Sequence, residues 1–550
     1  MITSLNKQKK SIILFFIYSV SVLLALITYE DYGIHIEEKF HRLNGHYWLN
    51  YLSDQFGFDN IKQITEKKIS EISDYTLSPV SVYNKYSIIF DLPTALLEIL
   101  LNINNVQKIY YLKHILSFFL FLVSSLFFFK ILEYRYKKFF LSFTGLILYI
   151  TTPRILGDSF LYKDILFLSF FMITFYYFYK SLTVFNYKFL FIFSLMSALS
   201  VNLRIFAILV PILFISLIII RNFYSKNVLN SFKKIFFYLI FFFIFLVIFW
   251  PYLWSDPVNN FFDLFKSVRN DLVNVKIFYN GSYVSNRTLP DYYLIEWIAI
   301  STPSVQFILF LLGFFYCFVR ILKRFVLIKE ESIYNDLWRG NKEELDFICV
   351  LFLVTFYFFF IFFNAPLYNG WRLVYFLNIF LLYFSINFLS IIQIFFSKKH
   401  LKKIFYLIII FLISYNCYAI IKTHPFQSIY FNSLISKDRK NIYEGDYHGL
   451  ATKHFFKNIL SESKKNTINI AVASHTPIQR GLETSEMKFK KKLNIIGQEY
   501  DKADYIFKNN ISEVNSKLIK KYQIPNNFSK IYELEVDKVI IYEIYKRNDK

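Results

Sequence analysis

A chain of 550 residues that is 55% hydrophobic and 21% aromatic is too apolar for an ordinary set of soluble domains. The formal net charge of +22 does not indicate nucleic-acid binding, because the lysines and arginines are neither gathered on one face nor interleaved with exposed aromatic residues. The three cysteines, Cys317, Cys349 and Cys417, fall in or beside apolar runs, which excludes a disulfide framework and a zinc knuckle. The composition therefore favours an integral membrane protein.

The first apolar run, Ser11 to Thr28, follows three lysines at positions 7, 9 and 10. This pattern is shared by secretory signal peptides and by membrane anchors. Because no small-residue cleavage site follows the run, and because its length is close to the ~20 residues that a bilayer requires, we expect it to be the first transmembrane helix.

Further apolar runs of membrane-spanning length follow along the chain. They lie at 108–130, 138–154, 163–180, 187–202, 205–221, 233–251, 304–322, 346–364, 372–396 and 403–421. A shorter apolar segment, 86–101, is interrupted by Asp91, Pro93 and Glu98, and it is expected to form a helix that lies along the membrane surface. The predicted fold class is mainly α, a polytopic transmembrane bundle of about eleven spans with external juxtamembrane helices.

Basic residues occupy alternate loops, which indicates the orientation of the bundle. If the spans are counted correctly, one side carries the basic segments 7–10, 130–138, 221–234, 320–324 and 397–403. We predict that this side is cytoplasmic. The external side then carries the loops 30–107, 155–162, 252–303 and 365–371 and everything after 422.

The tail after residue 421 is charged and contains short alternating apolar segments, Thr467–Val472, Tyr505–Phe507 and Val539–Tyr545, which are typical of strands. We therefore predict two domains. Residues 1–421 form the transmembrane domain, with 30–107 as its first external loop, and residues 422–550 form a small external α/β domain.

Four carboxylates, Glu30, Asp31, Glu37 and Glu38, lie immediately after the first predicted helix. Mutual repulsion raises the pKa of at least one member of such a cluster unless a cation offsets it, so the segment suits a general base or a cation site. A solvated acidic cap at the membrane surface is the structural alternative.

The turn 152–164, between the third and fourth predicted spans, carries four charges. Arg154 and Lys163 suit the binding of a phosphate, while Asp158 and Asp164 suit the support of a cation or an acceptor. The alternative is that these charges only mark the ends of helices.

Two arginines, Arg204 and Arg372, lie at the predicted external ends of spans, and Tyr368 and Trp371 precede the second of them. A guanidinium at such a position can bind a phosphate bidentately or can pair with a carboxylate of the first loop. Tyrosine and tryptophan at this level are also common as anchors at the membrane interface.

Other catalytic patterns are missing from the sequence. His424 and His448 lack a recognisable metal-ligand spacing and are interpreted as surface or packing residues. The sequence has no glycine-rich phosphate loop and no Gly-x-Ser-x-Gly elbow, which argues against nucleotide hydrolysis and serine esterase chemistry.

Taken in order, these segments resemble bacterial members of the GT-C glycosyltransferase superfamily, the family 39-like group that includes protein O-mannosyltransferases and the lipid A aminoarabinose transferase. The resemblance covers most of the chain from Asp31 to about Phe456. The matching segments are Asp31-Tyr32-Gly33-Ile34 through Glu37-Glu38, Pro153-Arg154 through Lys163-Asp164, Trp250-Pro251-Tyr252-Leu253-Trp254, Leu289-Pro290-Asp291-Tyr292-Tyr293, Thr302-Pro303, Tyr368 to Arg372, His424-Pro425, Tyr430-Phe431-Asn432 and Asp446-Tyr447.

The resemblance implies an inverting transfer of a sugar from a polyprenyl-phosphate donor to a glycolipid, polysaccharide or protein acceptor, outside a bacterial cytoplasmic (inner) membrane. Glu37 stands where the family usually has an aspartate as the presumed base, Glu38 stands at the following acidic position, and Asp31 is a candidate to share the task. The phosphate would be bound by basic residues, with Arg372, Lys163, Arg154 and Arg204 as candidates. Asp164, Tyr368 and Trp371 complete the predicted set of substrate- or phosphate-binding residues. The cofactor is left open, with a divalent cation at Glu37 or Asp158 as one option.

The chain departs from the family pattern at two further places. Leu373 follows Arg372 where related sequences commonly have histidine, so this corner is not expected to transfer protons. Leu161 and Tyr162 stand where the family often has Asn-Pro, so the position of the turn before Lys163 is less well defined by the resemblance.

Three other functions share the same gross topology. A transporter or lipid flippase would carry ionisable residues near the middle of its spans, whereas here the charges gather at the predicted external face. A non-catalytic scaffold would not need Glu37 or Asp31. A glycan ligase or polymerase would use lipid-diphosphate donors, and only the identity of the donor separates it from the leading prediction.

Overall fold

The computed structural model describes residues 7–72, 85–225, 228–270, 275–326, 338, 340–396, 401–483, 487–512 and 520–548. These residues form a mainly helical protein with a small mixed sheet near the C-terminus. The α-helices are α1 (Lys7–Thr28), α2 (Glu38–Phe56), α3 (Asp59–Ile72), α4 (Asp91–Leu100), α5 (Val106–Tyr136), α6 (Phe139–Ile150), α7 (Pro153–Asp158), α8 (Asp164–Thr183), α9 (Tyr187–Leu203), α10 (Leu209–Ser225), α11 (Val228–Ile248), α12 (Pro257–Asn270), α13 (Tyr293–Ser301), α14 (Ser304–Val326), α15 (Gly340–Phe362), α16 (Asn378–Phe395), α17 (Leu401–Thr423), α18 (Thr452–Glu462), α19 (Gln479–Glu483) and α20 (Met487–Lys490).

Eight apolar helices in the described ranges are long enough to cross a membrane. They are α1, α5, α8, α11, α14, α15, α17 and the segment Arg372–Phe395, which contains α16. The chain is therefore a multi-pass membrane protein. The remaining three predicted spans, 138–154, 187–202 and 205–221, fall on shorter apolar helices at Phe139–Ile150, Tyr187–Leu203 and Ile205–Arg221.

The three shorter helices also run between the two ends of the bundle. Lys138, just before α6, donates a hydrogen bond to Gln393 at the far end of α16. Arg204, just after α9, pairs with Asp164 at the start of α8, whereas Arg221 of α10 donates to the carbonyl of Leu182 at the end of α8. Since α8 joins the two ends, α9 and α10 must each cross from one end to the other.

One end of the bundle, which we call the basic end, gathers the loops predicted to share a side. Arg135 and Arg320 both bind the carboxylate of Asp346, and Arg221 pairs with Glu344. These contacts confirm that the loops around 130–138, 221–234 and 320–324 lie together, and Lys10, 3.5 Å from Glu133, joins them. Residues 397–400 of the last basic segment lie outside the described residues. Which side of the membrane this end faces stays a prediction.

The opposite end, which we call the site end, is built from the first loop, the turn before α8 and the tail. The backbone N–H of Ile36 donates to the carbonyl of His448, 3.0 Å away, and joins the first loop to the tail. Gly33 is required at this junction, because a Cβ there would lie 2.1 Å from the carbonyl oxygen of Leu450. The predicted helix at 86–101 is α4, whose position along a membrane surface stays a prediction.

The tail contains a five-stranded mixed sheet in the order β4-β3-β5-β7-β6, in which β3 is parallel to β4 and β5. The predicted strands Thr467–Val472, Tyr505–Phe507 and Val539–Tyr545 are confirmed as β3, β5 and β7, and the sequence did not predict β4 or β6. The domain boundary at 421/422 stays a prediction. The strands, including the β1–β2 hairpin that precedes α13, are β1 (Lys276–Tyr279), β2 (Ser282–Ser285), β3 (Ile468–Val472), β4 (Leu493–Ile495), β5 (Tyr505–Lys508), β6 (Phe528–Val536) and β7 (Val539–Arg547).

Candidate active site

A narrow cleft lies at the site end, where the first loop, the turn before α8 and the tail meet. Its walls include side chains from all three segments, among them Glu37, Glu38, Asp158, Lys163, Asp164 and His448. Several charged residues that are far apart in the sequence are thus brought to one place, beside helices of membrane-spanning length.

Glu37 is the carboxylate at the centre of this cleft. Lys163 Nζ lies 2.5 Å from its Oε2, and Arg372 Nη2 lies 3.3 Å from its Oε1. Burial alone would raise the pKa of Glu37, but the nearby Lys163 and Arg372 outweigh burial and hold that pKa well below its usual range. Glu37 is therefore ionised, and it is a weak base for as long as both cations stay paired with it.

Arg372 is buried but poorly satisfied. Only 3% of its side chain is exposed, and it packs over the ring of Tyr368 at 5.0 Å. Its carboxylate contacts are long, 3.3 Å to Glu37 and 3.7 Å to Asp164, and its Nε has no hydrogen-bond partner among the described residues. Each N–H donor of a buried guanidinium normally has an acceptor. Among the described residues the Nε–H of Arg372 has none, so Arg372 lacks an acceptor.

The contact with His35 does not fully supply the hydrogen-bond acceptor that Arg372 lacks. His35 Nδ1 accepts the backbone N–H of Glu37 at 2.9 Å, and His35 Nε2 lies 2.9 Å from Arg372 Nη1. Burial, with the neighbouring His448, holds the pKa of His35 well below its usual range, so the ring is neutral. A neutral imidazole accepts at one nitrogen only, and the two donors therefore compete for it.

The turn before α8 positions the other two charges. Lys163 has a φ of 46°, which a lysine rarely adopts, and such strained backbone is concentrated at functional sites. Asp164 begins α8, where a carboxylate interacts favourably with the helix N-terminus, and it forms an ion pair with Arg204. Arg204 thereby occupies Asp164 and leaves Arg372 at a longer distance from it.

The ion-pair network that contains Glu37 does not balance. Among the described residues, three cations, Lys163, Arg372 and Arg204, share the two carboxylates of Glu37 and Asp164 in this network. All five side chains are at least largely removed from solvent, so an excess of one positive charge is energetically costly unless an anion approaches. The cleft is suited to bind a phosphate or a similar oxyanion.

Asp158 and His448 form a second pair in the cleft, and burial disfavours the charged form of each. Asp158 is 2% exposed, and its Oδ2 lies 3.3 Å from His448 Nε2. Burial raises the pKa of Asp158 to about 7 and lowers the pKa of His448 well below its usual range. The ring of His448 also packs against His35, with 4.4 Å between ring centroids. The sequence did not predict His35 or His448 as part of this site.

The other two predicted catalytic carboxylates, Glu38 and Asp31, have different partners. Glu38 is buried and accepts hydrogen bonds from His114 Nε2 at 3.0 Å and from the backbone N–H of His35 at 3.1 Å. Asp31 is half exposed and lies 2.9 Å from His424. Among the described residues, neither carboxylate has a hydrogen bond or ion pair with a cation of the cleft, and their catalytic roles stay predictions.

Arg154 and Trp371, which were predicted to bind substrate or phosphate, are buried in the protein interior. Arg154 has no exposed surface and lies between the rings of Trp297 and Phe431, 5.1 Å from each centroid. Trp371 is 1% exposed and donates its indole N–H to Ser301 at 2.7 Å. Both residues support the site from behind, and direct contact with a phosphate stays a prediction for them.

Buried ion pairs between α2 and α4 fix the first loop. Arg42 forms a bidentate pair with Glu98, at 2.6 and 3.0 Å, and His41 lies 2.8 Å from Asp91. The only signal in the sequence was that Asp91 and Glu98 interrupt an otherwise apolar segment. These pairs hold the start of α2, and with it Glu37, in place.

The charge arrangement bears on the open question of a metal. In the described ranges, no group of three or more His, Cys, Asp or Glu side chains is arranged to hold a metal ion. Glu37 is paired with two cations and Asp158 is paired with His448, so both candidate ligands already have partners. The need for a divalent cation is left open.

Comparisons with known proteins add no family assignment to this geometry. No protein-family profile matches the chain, and no curated protein matches it significantly. The site itself indicates its chemistry, since an ionised carboxylate belongs to an ion-pair network with an excess positive charge, beside membrane-length helices.

Proposed function

We propose that this chain is a membrane glycosyltransferase of the GT-C type, which moves a sugar from a polyprenyl-phosphate donor to an envelope acceptor on the external face of a bacterial cytoplasmic membrane. The observation that carries the proposal is the buried, poorly satisfied Arg372 beside Glu37. A lipid-linked phosphate supplies the missing acceptor and the missing negative charge at once.

The phosphate binds between Lys163 and Arg372, with Arg204 holding Asp164 behind them. Both cations must then turn from Glu37 toward the phosphate oxygens. Loss of these two charges from its surroundings, together with the arriving negative charge, raises the pKa of Glu37. Donor binding thereby converts a weak carboxylate base into a stronger one, at the moment when a proton acceptor is needed.

The transfer itself needs little covalent chemistry from the protein. The acceptor hydroxyl attacks C1 of the sugar, the bond from C1 to the phosphate oxygen breaks, and the hydroxyl proton goes to Glu37. Polyprenyl phosphate leaves with an added negative charge, which Lys163 and Arg372 stabilise. Attack from the face opposite the leaving group inverts the configuration at C1.

The position of the cleft suits a lipid donor. Asp164 begins α8, and Arg372 begins the segment Arg372–Phe395, both of which have membrane-spanning length. The polyprenyl chain would lie against apolar helix surfaces while its phosphate reaches the cleft. We further propose that the chain crosses the membrane eleven times, with the basic end in the cytoplasm and both the cleft and the tail outside.

Donor specificity tests this function. The purified chain in liposomes is given the same radiolabelled sugar on polyprenyl phosphate, on polyprenyl diphosphate or on a nucleotide, with extracted envelope acceptors. Transfer from polyprenyl phosphate alone supports the proposal. Transfer from polyprenyl diphosphate alone indicates a ligase or polymerase, and transfer from the nucleotide sugar contradicts the proposed donor. The absence of transfer from all three, with movement of the lipid-linked sugar across the bilayer, favours a flippase.

A further inference from the structure

A second cavity, of about 370 Å³, lies where the end of α17 meets the tail sheet. It is lined by the last turns of α17, by the segment 430–436 and by the turn between β6 and β7, with Tyr415, Lys422, Ser433, Lys440 and Asp537 among its walls. None of these residues belongs to the cleft around Glu37, and the proposed catalytic function does not use them.

The charges of this cavity are unbalanced in the positive direction. Lys440 Nζ lies 2.6 Å from Asp537 Oδ2 and 3.0 Å from the carbonyl oxygen of Asp537, and Lys422 forms an ion pair with the same carboxylate. Two ammonium groups thus share one carboxylate. The Lys440 side chain is buried, whereas the Lys422 side chain is 45% exposed, so Lys422 is free to reach a further anion.

Hydroxyl groups line another wall. Ser433 Oγ lies 2.6 Å from Ser304 Oγ, and the Tyr415 hydroxyl lies 3.5 Å from Ser304 Oγ and 3.5 Å from the Tyr430 hydroxyl. Each hydroxyl has one donor and two acceptor positions, so the group can exchange bonds among its members for bonds to a polar ligand. Cations on one side and hydroxyls on another suit a small anionic group that carries oxygen atoms of its own.

The cavity lies at the level where a membrane-length helix ends. Tyr415, Tyr418 and Lys422 belong to the last turns of α17. On these turns the side chains of Tyr418 and Ile421 are strongly exposed. Tyrosine and lysine at the end of a span are typical of the headgroup region of a bilayer. A ligand at this depth therefore comes from the headgroup layer.

We propose that this cavity binds the phosphate headgroup of an anionic lipid, with Lys422 and Lys440 as its anion ligands and the Tyr415 and Ser433 hydroxyls as its polar contacts. The lipid tails extend along the exposed surface of α17. Phe431, which lines this cavity, also packs against Arg154 in the turn before α8. One layer of side chains therefore separates the bound headgroup from that turn.

The test measures binding of a short-chain phosphatidylglycerol to the detergent-solubilised full-length chain, for instance by native mass spectrometry. Lys422→Gln is expected to weaken binding about five-fold, because one lysine near the headgroup layer contributes about 1 kcal/mol. Asp537→Asn is expected to tighten binding, because it removes the competing carboxylate. The matched control is Lys538→Gln, since Lys538 lies in the same turn, is 57% exposed and pairs with Glu535. The control is expected to bind like the unmodified chain.

Opposite effects of the Lys422 and Asp537 variants support the proposal, whereas equal affinities for all four proteins overturn it. Phosphatidylcholine, which has no net charge, is expected to bind all four proteins alike. Competition by submillimolar inorganic phosphate would assign the cavity to a free anion and overturn the lipid assignment. If the Asp537 variant does not fold, the comparison of Lys422→Gln with Lys538→Gln still decides the question.

Discussion

The two ends of the bundle use the same residue types for different purposes. At the basic end, the carboxylate of Asp346 is fully buried and is bound by Arg135 at 2.7 and 2.8 Å, by Arg320 at 2.5 Å and by the hydroxyl of Tyr383. At the site end, Arg372 is buried, its carboxylate contacts are longer than 3 Å, and one of its donors has no partner among the described residues.

This difference distinguishes a structural ion-pair cluster from a binding site. A buried carboxylate with all its lone pairs occupied holds helices together and gains nothing from a ligand. A buried guanidinium that lacks acceptors is costly at rest and gains free energy when an oxyanion arrives. The unsatisfied donor, and not the presence of charged residues as such, is what marks the site end as functional.

The largest effect is expected from Glu37→Gln. Because the amide cannot accept the proton from the acceptor hydroxyl, kcat should fall by about 10²- to 10⁴-fold. The KM for the donor should not rise, since Lys163 and Arg372 lose a competing partner. Initial rates measured against donor concentration would separate the two parameters.

The matched control is Glu30→Gln. Glu30 is an exposed residue of the same loop, and among the described residues its carboxylate accepts a hydrogen bond only from the neighbouring Tyr29 hydroxyl. Its variant should keep the rate of the unmodified chain. An equal loss of rate in the two variants would point to a general effect of loop charge and would remove the special role of Glu37.

The second effect concerns stability at the basic end. Asp346→Asn keeps the shape of the side chain but leaves Arg135 and Arg320 without their shared anion, and removal of one partner of a buried pair costs about 3–5 kcal/mol. The thermal midpoint should fall markedly, while the donor affinity of the protein that remains folded should stay unchanged.

A surface pair supplies the comparison for that variant. Asp263 is 53% exposed and pairs with Lys266, so Asp263→Asn should change the free energy of unfolding by less than about 1 kcal/mol. Equal stability of the Asp346 and Asp263 variants would show that the ion pairs of Asp346 do not hold the helices of the basic end together.

The third effect concerns a buried carboxyl at the site end that has no ion-pair partner in the described part of the chain. Glu444 accepts a hydrogen bond from Asn369 at 3.2 Å, and burial raises its pKa to about 8. Because the folded-state pKa lies above the ordinary value, its contribution to stability is fully present below about pH 4.5 and is lost as the pH rises through about 8.

Glu444→Gln imitates the protonated carboxyl at every pH. The thermal midpoints of the variant and of the unmodified chain should therefore agree at pH 4.5, and the variant should be the more stable protein at pH 9. A difference in midpoint that does not change between these two pH values would show that Glu444 does not titrate in this range.

Much of the fold could be predicted because its signals are local. Each apolar run gave a helix, and the alternation of basic loops placed Arg135, Arg221 and Arg320 at one end. The strands of the tail were predicted less completely, since β4 and β6 are short or largely exposed and lack a clear apolar alternation.

The site could be predicted only in its parts. Lys163 and Arg372 were predicted to bind phosphate, and Glu37 was predicted to act as a base. In the sequence, Lys163 lies 126 positions and Arg372 lies 335 positions from Glu37. Pairing of Arg372 with a first-loop carboxylate was one of two alternatives, but nothing local in the sequence states that Glu37 is the shared partner of both cations. His35 could not be recognised either, because its place is defined by Arg372 and by the tail.

In the proposed mechanism, Glu37 and a lipid phosphate compete for Lys163 and Arg372. The most direct test is the affinity of polyprenyl phosphate, without a sugar, for the unmodified chain and for its Glu37→Gln and Arg372→Gln variants. We predict opposite changes: tighter binding by Glu37→Gln, and binding weaker by about thirty-fold or more for Arg372→Gln. Unchanged affinity in both variants would contradict the account.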